Sequence, residues 1–275
     1  MTRARRRGGL PPVPERTFDP ALLPADCLAA MKEHAVEAYP REAAGFVVGD
    51  VYEPQANLDP DPHAFEIDHR AFQEARRRGL RAVVHSHPHG PDAPSPEDME
   101  GQQATCVPWG IVVTYGDGAA DPFWWGDTVA RAPRIGRRFR HGVTDCYATY
   151  RDWTADEAGL LLPDPPRQDA WWRAGHDLFM RLHRDYGFEH HPMGERGFEP
   201  ETGDMVLMSV ACPGVVNHCG VYLGELILHH LSNRASRREP LFPWARHVAG
   251  YLRHPEVAAA LRARRGATGC TGTAA

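Results

Sequence analysis

The chain has 275 residues, of which 42% are hydrophobic, and a formal net charge of -5. This composition supports one large or two modest folded domains and excludes an intrinsically disordered protein. The small net charge gives no broad attraction to nucleic acid or membranes, and no apolar run is long enough for a membrane-spanning helix. We therefore expect neither a nucleic-acid partner nor a membrane-spanning segment.

The first half of the chain alternates helical and strand patterns, which is typical of an α/β domain. It follows a basic segment, residues 1–18, that has the pattern of a flexible tail and lacks the apolar core of an export signal. Residues 19–130 form the first predicted domain. In chain order it contains helix 26–38, strand 45–51, helix 70–78, strand 80–87, a helix that begins at Ser95, and strand 109–115.

A basic stretch with Pro133 and Gly136 is the predicted linker at the start of a second domain, residues 131–265. Helical patterns come first there and short strands follow, an order that predicts an α+β fold with an antiparallel sheet. The Gly, Ala and Thr residues of 266–275 predict a second flexible tail. The predicted elements are helix 145–153, a proline-rich loop 162–167, amphipathic helix 171–186, and strands 204–210, 218–223 and 226–230.

Two histidines on one predicted strand form the first candidate site. His85 and His87 are separated by one residue, so their side chains point to the same face of the strand. Ser95 is a natural cap for the following helix, which puts Asp98 in its first turn. Two imidazoles and a carboxylate can supply three ligands of a catalytic Zn²⁺, whose fourth position holds water. Glu42, just before a neighbouring strand, is the candidate proton acceptor for that water.

This pattern resembles the JAMM signature of the JAB/MPN metalloproteases, which here reads Glu42, then His85-Ser86-His87, seven residues, Ser95, two residues, Asp98. The resemblance implies that His85, His87 and Asp98 bind zinc. It also implies that Glu42 is the general acid/base and that Ser95 steadies the tetrahedral oxyanion. A JAB/MPN-like zinc metallopeptidase fold is implied for residues 19–130.

A cysteine at the start of a predicted helix forms the second candidate site. Cys146 follows Asp145, and the dipole of the helix favours a thiolate at this position. His218, on a later strand, is the candidate base for that thiol. A third polar group should orient the imidazole of His218, and the next strand offers His229 and His230.

The second site resembles the NlpC family of papain-like cell-wall amidases. Asp145-Cys146 resembles the nucleophile motif, and His218 with the strand that follows it resembles the histidine motif. Matching the stretch that holds the two consecutive histidines makes His229 the third member. Counting from His218, across a turn one residue shorter than usual, gives His230 instead. We predict His229 and keep His230 as the alternative.

The six cysteines show no CxxC pair and no spacing typical of a disulfide framework. Neither a cysteine-ligated metal nor a disulfide scaffold is indicated, and free thiols made in a reducing compartment are expected. Cys212 and Cys219 belong to no motif and are predicted to be packing residues.

A JAMM-like domain followed by an NlpC-like domain resembles the tail-tip assembly proteins of lambda-like long-tailed bacteriophages. Residues 136–147, 228–231 and 236–240 are also similar to that phage group. The resemblance implies a virion tail-tip protein that contacts other tail-tip or hub proteins. It further implies a cysteine domain that cuts peptidoglycan stem peptides after γ-D-glutamate, with roles in tail assembly and cell-wall penetration.

A phage protein that is made in the host cytoplasm and carried by the virion needs no signal peptide, and we expect none here. Two alternatives remain open at this point. One is a structural tail-tip plug subunit with little catalytic role, and the other is a host hydrolase that remodels the cell wall.

Overall fold

The computed structural model describes residues 9–269, which form two compact units. One unit spans Pro14–Arg131, and the other contains the residues from Ala132 onward together with those up to Val13. Each unit has its own sheet and its own hydrophobic core. Among residues 9–269, none of the helices combines the length and the apolar character that crossing a bilayer demands.

The first unit is built on a five-stranded mixed sheet. Its elements are α1 (Ala25–Ala38), β1 (Ala44–Val48), β2 (Val51–Gln55), α2 (His69–Arg77), β3 (Leu80–Pro88), α3 (Pro96–Thr105), β4 (Trp109–Thr114) and β5 (Phe123–Trp125). The strand order is β2-β1-β3-β4-β5, in which β3 and β4 are parallel and the other pairs antiparallel. Because α3 connects two parallel strands, its N-terminus lies at the end of β3.

The predicted strand 45–51 is a hairpin in the structure, since β1 and β2 turn at Gly49 and Asp50. Gly49 has φ 58°, in the left-handed region that a tight two-residue hairpin turn uses. Strand β5 has no counterpart among the sequence predictions. The other helices and strands of this unit lie where their patterns predict them, with small differences at the ends.

Helix α1 packs its apolar side on the sheet. Met31 and Ala35 lie one turn apart and are both buried in a core that includes Val47, Val84 and Val112. Full burial of a side chain the size of methionine or valine contributes about 1.5–3 kcal/mol. Hydrophobic burial therefore holds this helix against the strands that carry the first candidate site.

The segment before α1 also contributes to this core. Phe18 is 2% exposed, its N–H donates to the Thr128 carbonyl at 3.0 Å, and its carbonyl accepts from the Ala130 N–H at 2.7 Å. These contacts differ from the flexible tail predicted through residue 18, because an aromatic side chain of that segment is packed in the core. Residues 1–8 of the predicted tail lie outside the described residues.

The second unit contains a six-stranded sheet in which every pair is antiparallel, and it confirms the predicted α+β class. The strand order is β10-β9-β8-β7-β11-β6. The elements are α4 (Cys146–Ala158), α5 (Leu178–Leu182), β6 (Glu189–Pro192), β7 (Met205–Met208), β8 (His218–Leu223), β9 (Leu226–His229), β10 (Arg237–Pro240), β11 (Val248–Arg253) and α6 (Pro255–Gly269).

Helix α4 packs on the sheet and holds the second candidate site. Tyr150 is fully buried, shares a core with Leu207 and Val221, and donates its hydroxyl to the Gly203 carbonyl at 2.9 Å. A buried tyrosine with a satisfied hydroxyl packs an aromatic ring without leaving a polar atom unpaired. The helix is therefore fixed against β8, the strand that begins at His218.

Two short helical segments replace the single amphipathic helix predicted for residues 171–186. A 3-10 helix covers Trp171–Ala174, and α5 covers only Leu178–Leu182. Gly175, with φ 75°, ends the first segment, and Asp177 begins the second by accepting from the Met180 N–H at 3.1 Å. The prediction of one helix is wrong because a left-handed glycine and an aspartate cap favour a break.

The C-terminal part of the chain contains more regular structure than its sequence predicts. Strands β6, β10 and β11 and helix α6 have no counterpart among the predictions. Val257 and Leu261, one turn apart on α6, are buried in the core of the unit, which holds the helix in place. The helix continues through residue 269, so the described part of the predicted tail 266–275 is helical, and residues 270–275 lie outside the described residues.

Candidate active sites

Strand β3 and the N-terminus of α3 bring the three predicted metal ligands together. His85 and His87 share one face of β3, and both are buried. Ser95 caps α3: its Oγ accepts from the Asp98 N–H at 3.0 Å, and Asp98 Oδ2 accepts from the Ser95 N–H at 2.7 Å. This reciprocal capping box holds the Asp98 carboxylate at the start of the helix, close to the two histidines.

Three short distances define the arrangement. Nε2 of His85 lies 3.1 Å from Nε2 of His87 and 3.1 Å from Oδ1 of Asp98, and Nε2 of His87 lies 3.5 Å from Oδ2 of Asp98. Around an ion with ligand bonds of about 2.0–2.1 Å, tetrahedral geometry places the ligand atoms about 3.3 Å apart. The chemistry of these donors and their spacing therefore fit a tetrahedral metal ion.

Hydrogen bonding and burial prepare the side chains to act as ligands. Because the Pro91 carbonyl can only accept, Nδ1–H of His87 donates to it at 2.9 Å and leaves Nε2 with a lone pair in the neutral ring. Burial lowers the pKa of His85, which favours its neutral form. Burial by itself would raise the pKa of Asp98, but the charge and hydrogen bonds of the two histidines hold that pKa well below its usual range.

Glu42 lies at the same centre as the histidines. A carboxylate oxygen of Glu42 and ring nitrogens of His85 and His87 all lie within 4.8 Å of one another. The pairing of β1 with β3 puts Ala44 opposite His85 and so places Glu42, two residues earlier, beside them. Burial raises the pKa of Glu42 to about 7 despite the opposing effect of His87. An acid with such a pKa can exchange a proton at neutral pH, and the same position would also allow it to bind a metal.

An open groove of about 1150 Å³ leads to this centre, and its lining includes Glu42, His87, Ser95 and Asp98. The Ser95 hydroxyl oxygen accepts from the Asp98 N–H, so its hydrogen remains able to donate. Four of the five residues predicted for the first site therefore line this groove, and the fifth, His85, lies 3.1 Å from both His87 and Asp98.

Asp145 fixes the N-terminus of α4 and the cysteine that follows it. Its Oδ1 accepts from the Ala148 N–H at 2.8 Å, and its Oδ2 accepts from the Gly142 N–H at 2.9 Å and from Arg167 Nε at 2.8 Å. Burial by itself would raise the pKa of Asp145, but the charge of Arg167 outweighs this and holds the pKa well below its usual range. The buried carboxylate is thus ionised, and Cys146 is held at the first position of the helix.

Two neighbours stabilise the thiolate of Cys146. A hydrogen bond with the Cys219 thiol has the largest effect and lowers the pKa of Cys146; burial opposes it, and the hydrogen bond and charge of His218 lower the pKa further. Burial raises the pKa of Cys219, and the neighbouring Cys146 raises it further, so Cys219 keeps its proton. Cys219 therefore packs in the core, as predicted, and its thiol also affects the pKa of the candidate nucleophile.

The hairpin of β8 and β9 decides which histidine meets His218. Gly220 lies opposite His229, and His218 lies two residues before Gly220, so both imidazoles share one face of the sheet. Nε2 of His218 lies 2.9 Å from Nδ1 of His229. The structure therefore brings the predicted third member, His229, to the histidine that is its expected partner.

His230 has a different environment. It follows β9, is fully buried, and contacts the edge of the Phe139 ring at a centroid distance of 5.2 Å. Burial lowers the pKa of His230, against the opposing effect of the Thr144 backbone, and within residues 9–269 neither ring nitrogen has a hydrogen bond of normal geometry. The alternative third member thus lies near the cysteine but not against His218.

Cys146 and His218 form part of the wall of a cavity of about 280 Å³. Cys146 is partly exposed. Asn217, Ser232 and Asn233 add polar groups. The apolar part of the wall is formed by Phe139, Trp171, Trp172, Leu178, Phe179, Leu182, Tyr186, Phe188, Met205 and Leu252, among others.

Sequence reasoning missed Glu239. Its Oε1 lies 2.7 Å from Nε2 of His229, on the side of that ring away from His218. The signal in the sequence is only an acidic residue ten positions after a histidine, in a strand with no clear pattern. The pairing of β9 with β10, which the sequence did not predict, brings the two side chains together.

Comparisons with known proteins agree with two domains of these kinds. Residues 24–126 match the family described as prokaryotic homologs of the JAB domain. Residues 121–253 match the NlpC/P60 family, which indicates a peptidase-type hydrolase.

Two phage proteins are similar over most of their lengths. The tail tip assembly protein K of Escherichia phage lambda is 35% identical over 178 residues, covering 63% of this chain and 81% of the phage protein. The protein of the same name from Escherichia phage N15 is 30% identical over 239 residues, covering 83% of this chain and 94% of that protein. Among solved structures, the solution structure of a protein from Desulfitobacterium hafniense is 23% identical, with a TM-score of 0.31, covering 40% of this chain and 92% of that chain.

Proposed function

The chain belongs to the family of the phage tail tip assembly protein K, and on this premise we propose that it is a virion tail-tip peptidase with two separate active sites. The NlpC/P60 domain is the cysteine endopeptidase, and its substrate is the peptidoglycan stem peptide. The JAB-like domain is a zinc-dependent peptidase or isopeptidase. The protein acts in tail assembly and in penetration of the cell wall, in contact with other tail-tip or hub proteins.

The observation that carries the proposal is that Cys146 and His218 line one cavity, with His229 Nδ1 2.9 Å from Nε2 of His218. The Cys146 thiolate attacks the carbonyl carbon of the amide bond after γ-D-glutamate, and the N-terminus of α4 favours the negative charge that develops there. His218, which then carries the proton of the thiol, donates it to the leaving amine. In the second half of the reaction His218 takes a proton from the water that hydrolyses the acyl-enzyme.

In the first site, His85, His87 and Asp98 are the residues that would hold Zn²⁺. Zinc, when bound, supplies a Lewis acid that polarises the carbonyl of the scissile amide. Glu42, with a pKa of about 7, takes a proton from the attacking water and delivers it to the leaving nitrogen. The Ser95 hydroxyl donates to the oxygen that becomes negative.

A digestion of muropeptides that contain the γ-D-glutamyl bond tests the cysteine site. Purified wild-type protein should release the two fragments of the stem peptide, identified by mass, and Cys146→Ala should release neither. Cys106→Ala is the matched control, because Cys106 is an exposed thiol in the other unit. Equal cleavage by wild type and Cys146→Ala would refute the assignment of the nucleophile.

The same variant, carried in phage particles, distinguishes a peptidase from a structural tail-tip subunit. If the wild-type protein cleaves no muropeptide, and particles that carry Cys146→Ala assemble and infect normally, the protein is a structural tail-tip subunit. If those particles assemble but fail to enter the cell, cleavage of peptidoglycan by Cys146 is required for entry.

A further inference from the structure

We propose that Glu239 is a positioning residue of the cysteine site, which sets the tautomers of His229 and His218 so that His218 offers a lone pair to Cys146. The inference rests on the proposed cysteine peptidase and extends it by a residue that touches neither the thiol nor the cavity. The site then contains four residues that act in succession, Cys146, His218, His229 and Glu239.

Three donors converge on one oxygen of Glu239. Its Oε1 lies 2.7 Å from His229 Nε2, 2.9 Å from Arg234 Nη2 and 3.0 Å from Trp244 Nε1. The indole and guanidinium groups can only donate, so Oε1 accepts from Arg234 and from Trp244. The side chain of Glu239 is only 20% exposed, and the three bonds fix its position.

Strand pairing explains why Glu239 reaches His229. In the register of β9 with β10, Glu239 lies opposite Ile227, and His229 lies two residues after Ile227 on the same face. The carboxylate therefore extends diagonally to the imidazole. The ring of Trp244 contacts the edge of the His229 ring, at a centroid distance of 5.0 Å and an angle of 78°, and restricts its rotation.

The protonation of Glu239 and His229 follows from their surroundings. Burial by itself would raise the pKa of Glu239, but its bond to His229 and the charge of Arg234 outweigh this and lower it, so the carboxylate is ionised. Burial and the neighbouring His218 lower the pKa of His229 to about 4. At neutral pH the ring of His229 is therefore neutral and carries one N–H, on either Nδ1 or Nε2.

The position of that proton determines the chemistry of the next ring. An ionised carboxylate only accepts, so the proton of His229 lies on Nε2, and Nδ1 keeps its lone pair. Nδ1 of His229 then accepts from Nε2–H of His218 across 2.9 Å. With its proton on Nε2, neutral His218 has a lone pair on Nδ1, the nitrogen left to take the proton of Cys146.

The opposite arrangement would disable the base. If the proton of His229 moved to Nδ1, it would donate to Nε2 of His218, and the proton of His218 would move to Nδ1. That nitrogen would then point a hydrogen at the thiol and could not accept its proton. The acceptor at position 239 excludes this arrangement, because it would leave the Oε1 of Glu239 facing an unprotonated nitrogen of His229.

Two substitutions of Glu239 distinguish its effect as a hydrogen-bond acceptor from the effect of its negative charge. Glu239→Gln keeps a carbonyl oxygen for the three donors and removes the negative charge. Glu239→Leu removes the acceptor and keeps a side chain of similar length. Glu225→Gln, at an exposed position in the β8–β9 turn, is the matched control for loss of one charge.

The tautomers are measured by ¹⁵N NMR of the histidine rings in the resting protein, a readout that needs no substrate. Wild type, Glu239→Gln and Glu225→Gln should show His229 protonated at Nε2, and Glu239→Leu should show a mixture or the Nδ1 form. In the muropeptide assay, Glu239→Leu should lower kcat by about 100-fold or more with little change in KM, as expected when a base is held in the wrong tautomer. Glu239→Gln should retain more of the activity than Glu239→Leu.

Unchanged ring tautomers in a folded Glu239→Leu protein would overturn the proposal, as would a wild-type kcat in that variant. Equal loss of kcat in Glu239→Gln and Glu239→Leu, with the Nε2 tautomer kept in both, would also overturn it, since charge alone would then be responsible. If the wild-type protein cleaves no muropeptide, the proposed peptidase fails, while the NMR result still decides the role of Glu239.

Discussion

A methyl group added at Gly220 tests whether the hairpin positions the histidine pair. A Cβ at this position would lie 2.9 Å from Cβ of His229 and 2.7 Å from two carbons of Ile227. The end of the isoleucine can rotate away, but Cβ of His229 is tied to the backbone of β9. We therefore expect Gly220→Ala to act mainly through a displacement of His229.

The size of that displacement follows from the distances. Non-bonded carbon atoms prefer separations of about 3.5 Å or more, so His229 must move by about 0.6 Å. The bond of 2.9 Å between His218 and His229 would then lengthen toward about 3.5 Å, the limit of a useful hydrogen bond. Overpacking of this kind costs about 1–3 kcal/mol of folding stability. A misplacement of this order in a catalytic group lowers kcat by about 10- to 100-fold.

The assay pairs kcat on muropeptides with the free energy of unfolding from urea titration. Gly118→Ala is the control, because an added Cβ there meets no atom within 4 Å and the backbone does not have a positive φ. Gly118→Ala should change neither quantity. A Gly220→Ala protein with wild-type kcat and wild-type stability would refute the argument that this close approach positions His229.

The remaining predictions concern the metal and the thiol. His87→Ala should lose the bound metal that wild type holds at about one ion per chain, measured by elemental analysis, and retained stoichiometric zinc would contradict the ligand assignment. Glu42→Gln should keep the metal and lose the peptidase activity of the first domain; loss of the metal would instead make Glu42 a ligand. Cys219→Val removes the bond that lowers the pKa of Cys146, so the pH at which iodoacetamide alkylates Cys146 should rise, and an unchanged profile would exclude that bond.

Most of the candidate site residues lie in short segments whose local structure the sequence predicts. His85 and His87 share a strand, and Ser95 and Asp98 share the first turn of a helix, so strand alternation and capping preferences predict their relative directions. Cys146 at the start of α4 is equally local. The α/β and α+β classes follow from the order of the patterns, because each pattern repeats within a single element.

The weaker predictions concern segments whose structure depends on distant partners. Gly175 looks like one unfavourable residue inside an amphipathic pattern, and the break that it makes is clear only from its φ of 75°. Strand β10 has no alternation of its own and is stabilised by pairing with β9. Phe18 is an isolated aromatic residue in a segment otherwise typical of a tail, and only the core shows where it packs.

The sequence by itself indicated the candidate nucleophile, the candidate ligands and the two domain types, because each depends on neighbours within a few residues or on a fixed spacing. The tertiary structure decided the rest of the cysteine site. His229 meets His218 because Gly220 lies opposite it in the hairpin, Cys219 reaches Cys146 because α4 packs on β8, and Glu239 reaches His229 through the pairing of a third strand. These contacts join residues 10 to 73 positions apart, and since strand register and helix packing are set by burial across the whole unit, no local pattern specifies them.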